Sequence, residues 1–354
     1  MSMPASPRSA DEFLHGLWLE LVASLDRQES DNVDSSYPPF GVALERAAYD
    51  AQRAAYLSFL VDRRELLFAV YRLWQDDASR ELFTKLLLFR ALGHERIKLP
   101  SNNDAFWQAK RQAEELPSGP SPLMNLEGAD QLRHFELVLE GRQYQLDCLP
   151  TNILFTFLLR QYHLRRGAVE VRPGDGDHVI DAGTCFGDTA IDFGYAVGPS
   201  GRVHAFDLVD SHLQVSRHNI DQNPDLTNIV LHPVALSDRS REGEIAHAGL
   251  DPGFSVVHPG LALPLRCLDD LVETGEIEQV DLIKMDIEGH ELPALRGAER
   301  TLQRFRPRLA ISLYHRWEDY FRIPIHLDRL SLGYRFYLEN YTISDGETVM
   351  YCIA

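Results

Sequence analysis

The segment VIDAGTCFGDT (179–189) has the residue types and spacing of a ligand-binding loop. A short apolar strand pattern leads into Asp181, and Gly183 and Gly187 allow the backbone to come close to a ligand before a helical pattern begins. The N-terminus of that helix offers free N–H groups and a partial positive charge, which suit a carboxylate. Asp181 and Asp188 add acceptors for an ammonium group or an ordered water. The loop predicts a ligand of amino-acid character, and the alternative is an ordinary glycine-containing strand–helix turn.

A second acidic position narrows the ligand class. The strand pattern VHAF (203–206) ends in Asp207, about 20 residues past Gly187, where a carboxylate can accept both hydroxyls of a ribose. The G-x-G-x-x-G pattern of dinucleotide enzymes is missing, and the acidic Asp188 disfavours a pyrophosphate. The two motifs indicate an adenosine-containing ligand, with a helix-capping aspartate as the alternative for Asp207.

A third motif places charges in a buried strand pattern, within VDLIKMDIEGHELPALRG (280–297). Lys284 and Asp286 are two residues apart, on one face of a strand, and burying either charge alone is costly. We therefore expect them to pair. The alternative to a role in ligand binding is a structural ion pair with a capping acid. Asp286 falls at the carboxyl end of its strand, the edge where ligands bind in parallel sheets.

The elements that position these motifs alternate between strand and helix, which predicts a doubly wound, mostly parallel α/β sheet. A hairpin over 135–147 and one helix over 151–165 are expected to precede it, within a domain spanning 126–354 whose core is 175–354. Strand patterns occur at 178–181, 202–206, 228–232, 281–285, 308–313, 335–337 and 348–353.

The first part of the chain has a different pattern. Residues 42–95 have helical periodicity and residues 28–40 are typical of a loop. Residues 116–130 are rich in Pro, Gly and Ser and predict a linker. We expect 1–125 to be a mainly helical N-terminal region for capping or self-association. A second long stretch rich in Gly and Pro, 241–265, predicts a functional loop.

Composition excludes several classes of function. The 354 residues carry 35 basic and 53 acidic side chains, for a formal charge of −18, which repels nucleic-acid phosphates. The longest apolar run, 153–159, is too short to span a bilayer. Four scattered cysteines without a C-x-x-C pair, and a first segment without an apolar core, predict reduced thiols, no zinc site and a cytoplasmic location.

Taken together, these motifs resemble the FkbM family of S-adenosylmethionine-dependent methyltransferases. The resemblance covers about 175–354, and its K-x-D-x-E-G-x-E element is distinctive. Residues 76–100 match more weakly. Matching stretches are VIDAGTCFGDTA, HAFD, VALSD (234–238), VDLIKMDIEGHELPALRGA and LAISLYHRWEDYFRIP (309–324). The resemblance implies a Rossmann-like class I methyltransferase fold, S-adenosylmethionine as cofactor, and O-methylation of a sugar or secondary-metabolite hydroxyl.

The chain departs from the family pattern in places. Asp207-Leu208 replaces the more usual Glu-Pro, Cys185-Phe186 replaces small polar residues, and no acid directly ends the third strand. The predicted cofactor contacts are Asp181, Gly183, Thr184, Gly187, Asp188, Thr189, Asp207, Ala235, Leu236 and Asp286.

Catalysis is predicted to involve His315, which follows the fifth strand and has the side chain best matched to proton removal near neutral pH. A histidine bonded to a neighbouring carboxylate is the alternative. Asp286 would orient the acceptor or the cofactor's amino group, and Glu288 and His290 would contact the substrate. His290, Glu291 and Asp286 are also possible ligands of a divalent cation, but we expect no metal.

The predicted activity is therefore an S-adenosylmethionine-dependent O-methyltransferase that acts on a small-molecule or carbohydrate acceptor. A homo-oligomer is one option for its assembly. One alternative is an NAD(P)-dependent oxidoreductase, disfavoured by the missing G-x-G-x-x-G and by the lack of a Tyr-x-x-x-Lys pair in the sequence. Another is a non-catalytic binding module on the same fold.

Overall fold

A computed structural model describes residues 7–27, 46–123, 132–139, 141–243 and 263–354. The predicted loop at 28–40 lies outside these ranges. So do 124–130 of the predicted linker and most of the long loop predicted at 241–265.

Helices dominate the N-terminal third of the chain and then alternate with strands, as the periodicity predicts. The helices are α1 (Ala10–Ser24), α2 (Arg46–Asp62), α3 (Arg64–Leu73), α4 (Asp77–Leu92), α5 (Asp104–Glu115), α6 (Pro150–Asn152), α7 (Asp188–Val197), α8 (Asp210–Asp221), α9 (Leu268–Glu273), α10 (Glu291–Arg296), α11 (Glu299–Phe305) and α12 (Asp319–Arg329). A π-helix, Ile153–Leu158, directly follows α6.

Within the residues that the structure describes, the strands form one large sheet and three small ones. They are β1 (Ser118–Pro120), β2 (Arg133–Leu139), β3 (Arg142–Cys148), β4 (Leu164–Arg166), β5 (Val169–Val171), β6 (His178–Ala182), β7 (Arg202–Phe206), β8 (Ile229–His232), β9 (Ala235–Leu236), β10 (Arg241–Gly243), β11 (Leu263–Arg266), β12 (Leu282–Met285), β13 (Arg308–Ser312), β14 (Arg335–Asn340) and β15 (Thr348–Ile353).

The large sheet has seven strands in the order β14-β15-β13-β12-β6-β7-β8. Neighbours from β13 to β8 are parallel, and β15 runs antiparallel to both β13 and β14. All seven strands predicted from the sequence are present, so the mostly parallel α/β fold is confirmed. The carboxyl ends of β6, β7, β12 and β13 meet at one edge, and the turn between β14 and β15 lies at the same edge.

Two local predictions are wrong. The helix expected over 151–165 ends at Leu158, and Arg160 and Tyr162 then adopt left-handed backbone angles, with φ 55° and 70°. Long-range partners outweigh helix propensity there, because Arg160 pairs with Asp192 on α7 and Tyr162 bonds Asp286 beyond β12. The predicted linker contains strand β1, which pairs with β2, since Gly and Pro are tolerated in a short edge strand.

The N-terminal helices pack directly on the sheet. Phe13 of α1, together with Trp74 and Phe83, belongs to the same buried cluster as Phe336 of β14. Gln75 N–H also donates to the Phe336 carbonyl at 3.0 Å. The expected boundary near 125 lies outside the described residues, so the division into two domains and the capping role of 1–125 stay predictions. No bilayer-spanning helix occurs in the described ranges, where every helix is too short or too polar.

Candidate functional site

The glycine loop joins β6 to α7, and its backbone geometry explains both glycines. Gly183 and Gly187 have φ of 80°, a left-handed conformation that disfavours other residues. A Cβ on Gly183 would lie 1.8 Å from the Asp286 carbonyl oxygen, and one on Gly187 would lie 3.2 Å from Ser216 of α8. The glycines therefore allow the loop to pack between β12 and α8. Gly187 is the N-cap residue of α7 and provides no side-chain cap. The N–H groups at the helix N-terminus therefore suit an anionic group.

Behind the loop lies a buried ion pair. Lys284 Nζ is 3.0 Å from Asp181 Oδ1, with the two side chains 2% and 0% exposed. Burial alone would lower the pKa of Lys284, but the charges of Asp181 and Asp286 outweigh it and hold that pKa above its ordinary value. The expected Lys284–Asp286 pair is thus corrected to Lys284–Asp181. Lys284 is in register with Asp181 on the neighbouring strand, and strands lie closer together than residues two apart on one strand.

The same pair shapes the loop. Lys284 also donates to the Gly183 carbonyl at 2.6 Å, and Thr189 Oγ1 of α7 donates to Asp181 Oδ2 at 2.7 Å. Lys284, Asp181 and Thr189 therefore fix the conformation of the glycine loop through these hydrogen bonds. Thr184 Oγ1 is buried without a hydrogen-bond partner in the described ranges, so it is available to a bound ligand.

Asp188, the first residue of α7, faces α6 and the π-helix. Its carboxylate accepts from Asn152 Nδ2 at 3.1 Å and from Thr156 Oγ1 at 2.5 Å. Burial raises the pKa of Asp188 to about 6, although the Thr156 hydrogen bond opposes the shift. Asp188 thus ties α6 and the π-helix to the glycine loop, and its predicted contact with the cofactor stays a proposal.

Asp207 lies where β7 ends, next to the glycine loop. Its Oδ2 accepts from Cys185 N–H at 2.9 Å, and its Oδ1 accepts from the N–H groups of Leu208 and Val209 at 2.7 and 2.9 Å. These donors hold the carboxylate in place. Ala235 of β9 is buried in an apolar cluster with Leu265, against which Leu208 packs. An apolar surface beside a fixed carboxylate suits a nucleoside.

Asp286, at the carboxyl end of β12, is held by two phenols. Tyr162 donates to its Oδ2 at 2.8 Å, and Tyr314 donates to its Oδ1 at 3.0 Å. Burial would raise the pKa of Asp286, but the hydrogen bond and charge of His315 and the charge of Lys284 keep it well below its ordinary range. Asp286 is therefore ionised at neutral pH.

His315 lies among three carboxylates. Its Nδ1 bonds Glu291 Oε1 at 2.9 Å, and its Nε2 is 3.2 Å from Asp286 Oδ1 and 3.6 Å from Glu288 Oε2. Burial opposes the charge of His315, but Glu291 and Asp286 raise its pKa well above the ordinary value. An imidazolium with both nitrogens next to acids does not accept a proton. This geometry disfavours the predicted role of His315 as the base and favours the alternative of a carboxylate-bonded histidine.

The predicted substrate contacts lie on either side of this cluster. Glu288 has a half-exposed side chain and a left-handed backbone, with φ 55°. His290 Nε2 lies 3.0 Å from Ser237 Oγ, just beyond β9, so it faces the predicted adenine side. Burial lowers the pKa of His290. Leu236 is buried in β9.

Sequence reasoning missed four residues of the site: Gln161, Tyr162, Tyr314 and Glu347. Tyr314 could have been identified from the sequence, because it precedes His315 in a stretch that resembles the family. Gln161 and Tyr162 were hidden inside a predicted helix, and Glu347 lies in a turn with no recognisable motif.

Asp286, Glu291 and His315 have ligand atoms within 4.8 Å of one another, close enough for a cation. His315 already bonds Glu291, and Asp286 already accepts from two tyrosines. The expectation of no metal stays a prediction.

Residues 181–336 match the family model described as methyltransferase FkbM domain. The chain is similar to this family over that segment, which is less than half of its length. S-adenosylmethionine, predicted from the sequence, is the cofactor of this family. The match begins after Gln161 and Tyr162 and ends before Glu347.

A solved structure with a TM-score above 0.5 has the same fold. The methyltransferase FkbM of Methylobacillus flagellatus KT aligns with a TM-score of 0.54 and 19% identity, over 83% of this chain and 60% of that one. The chain thus spans less than two thirds of that relative's length. Fibrillarin from Aeropyrum pernix, with natively bound S-adenosyl-L-methionine, aligns at a TM-score of 0.34 and 12% identity, over 67% and 98% of the two chains. No curated protein sequence matches this chain.

The side chains of this site fit S-adenosylmethionine. S-adenosylmethionine has a cationic sulfonium, an amino-acid end and a ribose. The site offers the uncapped N-terminus of α7 for a carboxylate, the buried Thr184 hydroxyl, and the fixed carboxylate of Asp207 for hydroxyls. The ionised Asp286 supplies negative charge for a cation.

Proposed function

We propose that this protein is an S-adenosylmethionine-dependent O-methyltransferase whose acceptor is a sugar or secondary-metabolite hydroxyl. One observation carries the proposal: the glycine loop and an acidic cluster meet at one sheet edge, where the Asp286 carbonyl lies against Gly183. The loop belongs to a methyltransferase domain family, and the cluster combines carboxylates, phenols and an amide. Such groups hydrogen-bond hydroxylated acceptors.

The bound cofactor would supply an electrophilic methyl group, so the protein has to position the acceptor and manage one proton. In this proposal Asp207, Thr184 and the α7 N-terminus bind the cofactor, with Ala235 and Leu236 beside the adenine. Asp286, fixed by Tyr162 and Tyr314, orients the acceptor or the amino group. His315 stays protonated and positions Asp286, while Glu288 and His290 contact the acceptor.

We extend the proposal to the acceptor class, the cellular location and the assembly of the protein. A charge of −18 disfavours a nucleic-acid acceptor. We further propose a cytoplasmic location, and self-association through the N-terminal helices as an option for the assembly. Size-exclusion chromatography with light scattering tests the second point.

The test has two steps. Calorimetric titration with S-adenosylmethionine should show binding, and mass spectrometry of reactions with a panel of methyl glycosides and hydroxylated polyketides should show a product that has gained one methyl group. Asp286→Asn should abolish that product, whereas Glu278→Gln, on the opposite sheet edge and exposed, should not affect it.

Other results would redirect the assignment. Binding of NADH in place of S-adenosylmethionine would favour the oxidoreductase. Tight binding of S-adenosylmethionine without transfer to any hydroxyl, amine or thiol would favour the binding module.

A further inference from the structure

The turn between β14 and β15 brings one more acid to the site, outside the segment that matches the family model. β15 starts at Thr348, whose carbonyl accepts from Leu313 N–H at 2.9 Å. Glu347, which precedes it, therefore lies beside Tyr314 and His315, the residues that follow Leu313. The sheet register places this carboxylate at the edge where the acceptor must bind.

The turn is held in a fixed and strained form. Asn340 Nδ2 donates to the carbonyls of Ser344 and Gly346 at 3.0 and 2.7 Å and to Thr348 Oγ1 at 3.0 Å. Glu347 has a left-handed backbone, with φ 48°. Strain of this kind in a non-glycine residue persists where the surroundings impose it, and it concentrates at functional sites.

A second strained segment meets Glu347. Gln161 Nε2 donates to Glu347 Oε2 at 2.8 Å and lies 3.3 Å from Tyr162 Oη, which in turn donates to Asp286. Gln161 and Tyr162 follow the π-helix, a feature found frequently at functional sites. Two irregular segments, far apart in sequence, thus bring Glu347 and Asp286 into one hydrogen-bonded chain.

Several groups face Glu347 from each neighbouring element. They are Asp286 and Glu288 after β12, Tyr314 and His315 after β13, and Gln161 and Tyr162 after the π-helix. In the same turn as Glu347, Asp345 is paired with Arg90. Burial raises the pKa of Glu347 to about 7, and the charge of Asp286 adds to the effect. A base is most effective when its pKa is near the working pH.

We propose that Glu347 accepts the proton of the acceptor hydroxyl, with Gln161 aligning its carboxylate; this inference rests on the proposed function. In the step, the hydroxyl oxygen forms a bond to the methyl carbon as its O–H proton passes to a Glu347 oxygen. The carbon–sulfur bond breaks, and its electron pair stays on sulfur. The products are a methyl ether, a neutral thioether and a neutral Glu347 carboxyl.

The charges support this sequence of events. A bound cation favours the ionised form of Glu347, so cofactor binding prepares the base by releasing its proton. After transfer, the thioether no longer carries that charge, and the protonated carboxyl is favoured. Binding of S-adenosylmethionine should therefore strengthen as the pH rises through about 7, the pKa of Glu347. Binding of S-adenosylhomocysteine should depend less on pH.

Calorimetry in buffers of different ionisation enthalpy measures the protons released on binding, without any acceptor. Near neutral pH, we expect wild-type protein to release more protons with S-adenosylmethionine than with S-adenosylhomocysteine. Glu347→Gln should cut that release by more than half. Glu278→Gln, a matched change on the opposite edge, should leave it unchanged.

Unchanged proton release in Glu347→Gln, or equal release with the two ligands, would overturn the inference. No binding of S-adenosylmethionine by wild type would overturn the proposed function as well, which separates the two failures. Should Glu347→Gln fail to fold, Gln161→Leu decides the question. Without the Gln161 amide donor, the ionised form of Glu347 is less stable, so the pH at which proton release is half-maximal should rise by about half a unit or more. An unchanged pH of half-maximal proton release would contradict the role of Glu347.

Discussion

The proposed cofactor side and the proposed acceptor side of this site, called the cofactor side and the acceptor side below, are built in different ways. On the cofactor side, Asp181, Gly183, Gly187 and Asp207 come from one strand–loop–helix–strand unit, and backbone contacts satisfy much of its polarity. On the acceptor side, Glu347 and its neighbours come from four separate segments. The cofactor side is thus a local motif, whereas the acceptor side exists only in the folded chain.

The two sides also differ in electrostatics. The buried Asp181 has a full partner in Lys284. On the acceptor side, the carboxylates of Asp286, Glu288 and Glu291 all lie within 3.6 Å of a ring nitrogen of His315. Clustered negative charges lower the stability of a protein. They are retained mainly at functional sites, where they bind a cation or transfer a proton. This difference agrees with the proposed division between ligand binding on the cofactor side and proton transfer on the acceptor side.

The largest effect is expected from removing the cation that links the two sides. Lys284→Met leaves Asp181 buried and uncompensated, so the free energy of unfolding should fall by about 3–5 kcal/mol. Urea denaturation measures the loss. The double variant Lys284→Met/Asp181→Asn should recover much of it, because no charge is then left unpaired. A loss below about 1 kcal/mol in the single variant would show that the pair is not a structural centre.

The next effect tests the close contact between the two sides. Gly183→Ala places a Cβ 1.8 Å from the Asp286 carbonyl and should lower stability by about 2–4 kcal/mol through overpacking and backbone strain. Gly141→Ala is a matched control, since Gly141 has φ 79° but open space around it. That change should cost about 1 kcal/mol. Equal losses would mean that strain alone, and not the contact with β12, requires glycine at 183.

A third change addresses the cofactor side alone. Asp207→Ala should weaken S-adenosylmethionine binding by about 1.5–3 kcal/mol, the range for hydrogen bonds to a charged group. Calorimetric titration measures this, with Asp210→Ala on the exposed first turn of α8 as the control. Proton release on binding should persist in Asp207→Ala, because it arises on the acceptor side. Equal affinities of wild type and Asp207→Ala would remove Asp207 from the cofactor site.

The smallest effect tests the support that the N-terminal region gives to the acceptor side. Ser101 bonds Asn340 and donates to the Thr342 carbonyl at 2.6 Å, within the turn that ends at Glu347. Ser101→Ala should reduce stability by about 1 kcal/mol, as measured by urea denaturation. The exposed Ser200 provides a control whose replacement by Ala should stay within about 0.5 kcal/mol. No difference between the two variants would mean that this contact does not secure the turn.

Sequence by itself determined the fold class and predicted which residues form the cofactor side. Strand periodicity placed all seven strands of the large sheet, because alternation and apolar runs are local signals. The glycine loop and Asp207 were recognised because their residues are close together in the chain. The two glycines, however, are required by Asp286 and Ser216, which only the packed structure shows.

Tertiary structure alone decided the ion pair and the acceptor side. Register between β6 and β12 set Lys284 opposite Asp181, which spacing along one strand cannot show. The left-handed turn at Tyr162 was hidden because its partners, Asp286 and Tyr351, lie more than a hundred residues away in the sequence. Glu347 has no local motif at all. Hydrogen bonds and charges between distant segments outweigh local propensity at such positions, so the chain's own sequence pattern does not record them.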